Sequence, residues 1–183
     1  MSRTIMLIPL EVGVGVTCVS LGIVRAMERH GVSVNFYLPI AQPKPGSRGS
    51  KRSVAIMQQA ISATPPEPMA ISEVEHMIAH DHMSDLLELI VERFKTGTQG
   101  AEVVLVEGMV AIAEHPFATR LNAEVAKALG ADIVFVTRPG SSSSSQLKER
   151  VELAIAAYGG PQNDRLAGCI VNKLGAPTDL GMR

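Results

Sequence analysis

The sequence contains no tryptophan, and aromatic residues make up only 3% of its 183 residues. Its charges nearly cancel, because 17 Lys and Arg face 18 Asp and Glu, for a formal net charge of -1. Proteins that bind nucleic acids usually present a basic surface and aromatic side chains on which bases stack. The composition therefore predicts no nucleic-acid partner.

Cysteines and long apolar runs are also scarce. The two cysteines, Cys18 and Cys169, call for no disulfide framework, and we expect both to be small buried side chains of a cytoplasmic protein. The apolar run near the N-terminus is broken at Pro9, and no run approaches the length that crosses a bilayer. We therefore expect no membrane partner, and a chain of this length predicts one ordinary domain.

Short apolar runs alternate along the chain with segments of helical periodicity. The expected strands lie near residues 5–8, 32–38, 102–106, 133–136 and 166–171. Strands that are apolar without alternation are typical of a parallel sheet covered on both faces. The sequence thus predicts an α/β fold, a doubly wound and mostly parallel sheet in three layers. Residues 1–174 are expected to form the domain, and residues 175–183, which lack periodicity, to begin a linker to absent downstream domains.

The first loop has the layout of a phosphate-binding loop between a strand and a helix. In a working loop, GxxxxGK followed by Ser or Thr, the lysine reaches the phosphates and the hydroxyl holds Mg²⁺. Here the loop ends in Gly15-Val16-Thr17, so a valine occupies the lysine position. A charge pair at about 4 Å is worth about 4 kcal/mol at an effective dielectric near 20, so its loss argues against ATP hydrolysis or phosphoryl transfer. Glu11 adds a negative charge in the same loop unless it turns to solvent or binds a metal. The other interpretation is a core strand and helix whose loop binds nothing.

Further polar residues are expected at the same edge of the sheet. Glu107 ends an apolar strand where a carboxylate would coordinate Mg²⁺ beside the loop, or would hold the crevice together by hydrogen bonds. The residues alone leave these two roles open. Because the carboxyl ends of parallel strands meet at one edge, the expected crevice lies where residues 13–17, Glu107 and Asn172 come together.

Two surface segments are weaker candidates for anion binding. Lys44, Arg48, Lys51 and Arg52 in a Pro/Gly-rich stretch form either an anion-binding lid or, as we favour, a solvated loop. The five serines at 141–145 favour a turn that caps the helix predicted over 146–158.

The middle third of the chain is expected to be helical. Ser72, with Glu75 three residues on, predicts a capping box, and Ser84 predicts the cap of the next helix. His76 and His80 have the i, i+4 spacing of a zinc site, with His82 nearby, but the Glu of HExxH is missing. An exposed polar helix face is favoured, and no metal is expected.

Four stretches in order, PLEVGVGVT, YLPIAQP, VVLVEG and GCIVNKL, resemble the dethiobiotin synthetase-like group of P-loop proteins. More closely, the sequence is similar to the N-terminal domain of the long bacterial phosphate acetyltransferases. That similarity rests on MSRTIMLIPLEVGVGVTCVSLGIVRAMERHGV, LPIAQP, AEVVLVEGMV and QLKERVELA. It covers almost the whole chain and is weakest between Pro43 and Gln99.

The resemblance implies a degenerate nucleotide site within a P-loop NTPase-like fold. In ATP-using relatives lysines stand at the positions of Val16 and Leu38, so both phosphate-binding charges are missing here. Thr17 matches the Mg²⁺-binding hydroxyl, and Asn172 matches the asparagine that recognises the base. No catalytic residue is expected, and the implied site consists of Glu11, Gly13, Gly15, Val16, Thr17, Glu107 and Asn172.

The resemblance also implies a role. The chain is expected to be a regulatory, non-catalytic domain that responds to metabolites such as NADH, ATP, pyruvate or phosphoenolpyruvate and supports a homo-oligomer. No cofactor is expected in the chain itself, since CoA and acetyl phosphate chemistry belongs to a downstream catalytic domain. The alternatives are an active ATP-dependent ligase of the dethiobiotin synthetase type and a purely structural oligomerisation module. Val16 and Leu38 argue against the ligase.

Overall fold

The computed structural model describes residues 2–43, 52–61, 64–139 and 143–175. Its strands are β1 (Arg3–Pro9), β2 (Val34–Tyr37), β3 (Ile40–Ala41), β4 (Met69–Ala70), β5 (Val103–Glu107), β6 (Asp132–Thr137) and β7 (Leu166–Val171). Its helices are α1 (Val16–Arg29), α2 (Arg52–Gln58), α3 (Ile71–Ala79), α4 (Met83–Gly97), α5 (Ala118–Ala128) and α6 (Ser144–Ala157). In these ranges no helix is long and apolar enough to cross a membrane.

Five strands form one parallel sheet in the order β2-β5-β1-β6-β7. Strand β1 lies at its centre, where Leu7 is in register with Glu107 on one side and with Val134 on the other. The carboxyl ends of β1, β5 and β6 therefore reach the same edge. A separate parallel pair, β3 and β4, was not predicted from the sequence.

Helices cover both faces of the sheet because its strands are apolar on both sides. On one face, Val24 of α1 and Met57 of α2 pack with Leu7 and Phe36 of the sheet. On the other face, α3 to α6 pack over a second cluster, to which the sheet contributes Met6, Ile8, Tyr37, Val104, Val106, Ile133 and Phe135. The predicted three-layer, doubly wound fold is confirmed.

At the ends of three helices, the structure has the features that the local sequence predicted. Gly31 and Gly130 have φ of +76° and +58° directly after helical segments, as expected for glycines that end helices. Ser143 accepts from the Gln146 N–H, and the Gln146 side chain accepts from the Ser143 N–H, so the predicted serine cap of α6 is confirmed.

The predicted caps of α3 and α4 are wrong. Extended backbone at Ala70, the end of β4, runs directly into α3, which places Ser72 inside the helix. Helix α4 likewise begins at Met83, one residue before Ser84. Neither helix has a side-chain cap, because both begin earlier than the serines suggested.

The expectation that both cysteines are buried is also wrong, since both are exposed. Cys18 lies on the outer side of α1, whose buried positions include Ser20 and Val24. Cys169 lies on β7, at the edge of the sheet. Partial burial nevertheless raises the pKa of the Cys169 thiol.

Several predictions lie outside the described residues. These concern the side chains of Lys44, Arg48, Lys51 and Arg52, two of the serines at 141–145, and the linker over residues 176–183.

Candidate functional site: a crevice at the carboxyl edge of the sheet

The loop between β1 and α1 closes tightly because two glycines adopt left-handed backbone conformations. Gly13 has φ of +78° and Gly15 has φ of +79°, and the Gly15 carbonyl accepts from the N–H groups of Cys18 and Val19 as α1 begins. A Cβ at Gly15 would lie 2.9 Å from Nδ2 of Asn172. Gly15 is therefore required both by its φ and by this close approach.

The buried carboxylate of Glu107 joins the loop to α2. Glu107 is 4% exposed, and its Oε1 accepts from Ser53 Oγ at 3.0 Å and from Thr17 Oγ1 at 3.2 Å. The two hydroxyls are 2.8 Å apart. A buried charge needs such hydrogen bonds. These contacts support the role of Glu107 in holding the crevice together, while its role towards Mg²⁺ stays a prediction.

Glu11, which lines the crevice, is held by hydrogen bonds from the end of β6 and from α6. Its Oε1 accepts from Arg150 at 2.7 Å, from Thr137 Oγ1 at 3.1 Å and from the Arg138 N–H at 3.3 Å. Arg150 belongs to α6, so the ion pair attaches this helix to the loop after β1. The negative charge that the sequence placed in the loop is thus balanced by an arginine.

The residues that follow β7 hold the loop from the other side. Asn172 Nδ2 donates to the Val14 carbonyl at 2.8 Å, and Lys173 Nζ donates to the Gly13 carbonyl at 2.7 Å. Asn172 was predicted to lie here, whereas Lys173 was missed. Its signal was its position directly after Asn172, at the carboxyl end of a parallel strand.

Apolar side chains take the two positions at which the resemblance implies lysines. Val16 is 7% exposed and Leu38 is 6% exposed, and both pack in the cluster that contains Val14. They line a cavity of about 360 Å³, which also reaches Glu107 and Lys173. The cavity is therefore present, but its wall is apolar where a phosphate site would be positive.

Gln42 holds the opposite wall of the crevice and was not predicted as a site residue. Its side chain accepts from the Val110 N–H at 2.9 Å and donates to the Val110 carbonyl at 2.8 Å. Nε2 of Gln42 also lies 2.9 Å from Nδ1 of His115, whose Nε2 is 3.5 Å from Glu75. The only signal in the sequence was the position of Gln42 in the LPIAQP stretch.

The histidines of the middle third lie apart from this crevice lining. Nδ1 of His80 is bonded to the His76 carbonyl at 2.8 Å, and Nδ1 of His82 lies 2.9 Å from the Asp85 carboxylate. Within the described ranges, no group of three or more His, Cys, Asp or Glu could hold a metal ion.

The structure thus brings the predicted loop, Glu107 and Asn172 together at one edge of the sheet. A sequence profile described as an AAA domain (AAA_26) matches residues 3–182. The phosphate acetyltransferase of Escherichia coli (strain K12) is 46% identical over 180 residues, which are 98% of this chain and 25% of that protein. The phosphate acetyltransferase of Haemophilus influenzae is 39% identical over 179 residues, with 98% and 25% covered. The chain spans about a quarter of the length of these relatives.

Solved structures share the fold at low identity. The signal recognition particle receptor FtsY from Elizabethkingia anophelis aligns with a TM-score of 0.57 and 14% identity over 87% of this chain and 48% of that one. The BceF tyrosine kinase domain aligns with a TM-score of 0.52 and 13% identity over 93% of this chain and 68% of that one. These likenesses concern the fold alone. Because the family profile spans nearly the whole sequence, the chain belongs to the AAA domain family, and its resemblance to the N-terminal domain of phosphate acetyltransferases is confirmed.

Proposed function

We propose that this chain is the N-terminal regulatory, non-catalytic domain of a phosphate acetyltransferase, which interconverts acetyl-CoA and phosphate with acetyl phosphate and CoA. A downstream domain, absent from this chain, carries that chemistry and binds CoA. The N-terminal domain senses small metabolites and supports a homo-oligomer in the cytoplasm. The observation that carries the proposal is the pair of buried apolar side chains, Val16 and Leu38, beside a loop that keeps the last glycine and the hydroxyl of the pattern.

The electrostatics of the loop support a non-catalytic role. Phosphoryl transfer depends on positive charge placed where negative charge develops, and one such charge at about 4 Å is worth about 4 kcal/mol. Val16 and Leu38 supply none. The Thr17 hydroxyl, which would hold Mg²⁺ in a working loop, donates to the Glu107 carboxylate. An ATP-dependent ligase of the dethiobiotin type would lack the charges its reaction needs.

The crevice supports a sensing role. Its volume of about 360 Å³ lies in the range of small-molecule sites, and it combines an apolar wall with a few polar groups. Positive charge lies beside the loop without belonging to it. Lys173 donates to the Gly13 carbonyl, and the Arg138 guanidinium lies 4.0 Å from the position that a Cβ would take at Gly13. NADH and ATP are the candidate effectors for this crevice, with pyruvate and phosphoenolpyruvate as smaller anions to test.

The test compares the full-length protein with a deletion that lacks residues 1–175. Acetyl transfer is measured while NADH, ATP, pyruvate and phosphoenolpyruvate are titrated. We expect the deletion to retain turnover and to lose the response, and the 183-residue chain alone to turn over neither acetyl-CoA nor ATP. Turnover by the chain alone would overturn the non-catalytic role. Loss of the oligomer in light scattering, with no effector response in either protein, would favour the structural module.

A substitution at the mouth of the crevice tests the sensor site itself. Val12 lines the crevice and is 47% exposed, so Val12→Trp fills the opening without disturbing the core. We expect this variant to lose the effector response with acetyl transfer unchanged. Leu153→Trp, at a position that is 67% exposed on α6, is the matched control and should keep the response. An unchanged response in Val12→Trp would place the effector elsewhere.

A further inference from the structure

One side-chain amide holds both backbone groups of a residue in the crevice wall. Gln42 Oε1 accepts from the Val110 N–H at 2.9 Å, and Gln42 Nε2 donates to the Val110 carbonyl at 2.8 Å. These partners fix the orientation of the amide, because a backbone N–H needs an oxygen and a carbonyl needs an N–H. Both residues line the crevice. We call these two bonds the Gln42 clamp.

The orientation of Gln42 in turn fixes the tautomer of His115. Nε2 of Gln42 lies 2.9 Å from Nδ1 of His115. Because the amide nitrogen carries only donors, Nδ1 of the ring must accept, and a neutral imidazole then has its one proton on its own Nε2. That ring nitrogen lies 3.5 Å from the carboxylate of Glu75 on α3. The Gln42 clamp is therefore compatible with a neutral His115 whose Nδ1 carries no proton.

A protonated His115 conflicts with the Gln42 clamp. Both ring nitrogens of a protonated histidine are donors, so two donors would face each other across 2.9 Å. If Gln42 turns its amide over to offer its oxygen to the ring, that oxygen faces the Val110 carbonyl and the amide nitrogen faces the Val110 N–H. Both bonds of the clamp are then lost. Gln42 can satisfy the Val110 backbone or a protonated His115, but not both.

The surroundings of the His115 ring provide a counter-charge for a proton. The ring is 7% exposed, and the exposed carboxylate of Glu75 faces it from α3. Glu114, the preceding residue, is exposed to solvent, and the Phe117 ring packs edge-on at 5.9 Å between centroids. From the side of β3 the ring meets the neutral amide of Gln42. Histidine is also the side chain that commonly changes charge between about pH 5 and pH 8.

The backbone of His115 is fixed on both sides, so Gln42 is the partner that moves. The His115 N–H donates to the Ile112 carbonyl at 3.0 Å, and the His115 carbonyl accepts from the Ala118 N–H at 3.1 Å, where α5 begins. Gln42 is half-buried and follows the two-residue strand β3. Its side chain therefore has the room to rotate that the histidine backbone lacks.

We propose that His115 and Gln42 form a pH-sensitive switch in the wall of the crevice. While His115 is neutral, the Gln42 clamp holds Val110 in the wall. When His115 takes up a proton, the clamp opens and the wall at Val110 and Ile112, which also lines the crevice, is released. An effector of the crevice would then bind more weakly in acid, because it meets a different wall in each state. This consequence rests on the proposed function, whereas the switch itself does not.

The test is hydrogen exchange of single backbone amides, followed by NMR at about pH 5.5 and about pH 7.5. Each rate is divided by the intrinsic rate of that amide at the same pH, which gives a protection factor. We expect the protection of the Val110 N–H to be about two- to tenfold lower at the lower pH, as for the loss of one hydrogen bond. The Met109 N–H, which donates to Asn122 Oδ1 at 3.0 Å, is the internal control and should keep its protection.

The control is close because Met109 is the neighbour of Val110 and is held in the same way. Asn122 also donates to the Met109 carbonyl, at 2.8 Å, and its other bond is to Tyr158 rather than to a histidine. Equal protection of Val110 at the two pH values would overturn the proposal. A parallel loss at Met109 would also overturn it, because the whole wall would then loosen in acid for another reason.

A pair of variants identifies the titrating group. His115→Gln places a neutral amide that can still accept from Gln42, so the protection of Val110 should become equal at the two pH values. His30→Gln, at an exposed histidine after α1, is the matched control and should keep the pH-dependent loss. Loss that persists in His115→Gln would contradict the proposal. If this variant does not fold, the comparison of Val110 with Met109 in the wild type decides.

The effector response of the full-length protein separates this inference from the proposed function. We expect the response to need more effector at about pH 5.5 than at about pH 7.5 in the wild type, and equal amounts in His115→Gln. A full-length protein with no effector response at either pH would refute the sensing role, whatever the exchange of Val110. An effector response together with equal protection of Val110 at the two pH values would refute this inference alone.

Discussion

Restoring the lysine of the loop is the sharpest test of why the crevice would not act on ATP. Val16 is the first residue of α1, is 7% exposed and lines the cavity. In Val16→Lys the ammonium can extend into that cavity while the stem stays against the apolar wall. A charge at about 4 Å from a phosphate is worth about 1 kcal/mol at the dielectric of water and about 4 kcal/mol near a dielectric of 20. We therefore expect the variant to bind Mg-ATP about five to a thousand times more tightly than the wild type does.

The substitution also costs stability, which the assay must separate from binding. Burial of a valine side chain is worth about 1.5 to 3 kcal/mol, and the lysine stem recovers only part of it. Val16→Met is the matched control, because it carries a long apolar side chain without the charge. Calorimetric titration with Mg-ATP is paired with thermal unfolding of each variant.

Two outcomes would refute the electrostatic explanation. If Val16→Lys folds but binds Mg-ATP no better than Val16→Met, the missing charge is not what prevents binding. If the wild type already binds ATP or NADH at micromolar strength, about 8 kcal/mol, the amides and cations around the loop suffice without the lysine.

Three further predictions concern the loop, the ion pair and a buried phenol. Gly15→Ala should lower the free energy of unfolding in urea by more than Gly31→Ala does. The two glycines have similar φ (+79° and +76°), so the backbone strain is matched, but only at Gly15 would the added Cβ also crowd a neighbouring side chain. Equal losses of stability would contradict this prediction. Glu11→Gln should lower the free energy of unfolding by about 0.5 to 1 kcal/mol, whereas Glu152→Gln, in an exposed pair, should change nothing measurable. Burial raises the pKa of Tyr158 to about 12, because its effect is larger than that of a hydrogen bond that lowers the pKa. The unfolded phenol ionises first, so stability should fall between pH 10 and about 12, and Tyr158→Phe should remove that part of the slope.

Local sequence patterns were enough to predict most of the fold. Unalternating apolar runs predicted the five strands of the parallel sheet, and glycines after helical segments predicted the ends of α1 and α5, because both signals depend on nearby residues only. The same reasoning identified the loop at Gly13 to Thr17 and placed Glu107 and Asn172 beside it, since parallel strands present their carboxyl ends at one edge. The absence of the loop lysine can likewise be read from the sequence, and it is the reason to expect no phosphoryl transfer.

Tertiary structure decided which distant groups meet. The sequence placed Glu11 in the loop but could not show that its charge is balanced by Arg150, because the two are joined only when α6 packs beside the end of β6. The bond from Lys173 to the Gly13 carbonyl likewise depends on β7 lying at its place in the sheet. Exposure of Cys169 follows from the edge position of β7, which no local pattern distinguishes from a central one. Residue type and periodicity thus determined which elements form, whereas contacts between residues far apart in sequence arose only from the packing of those elements.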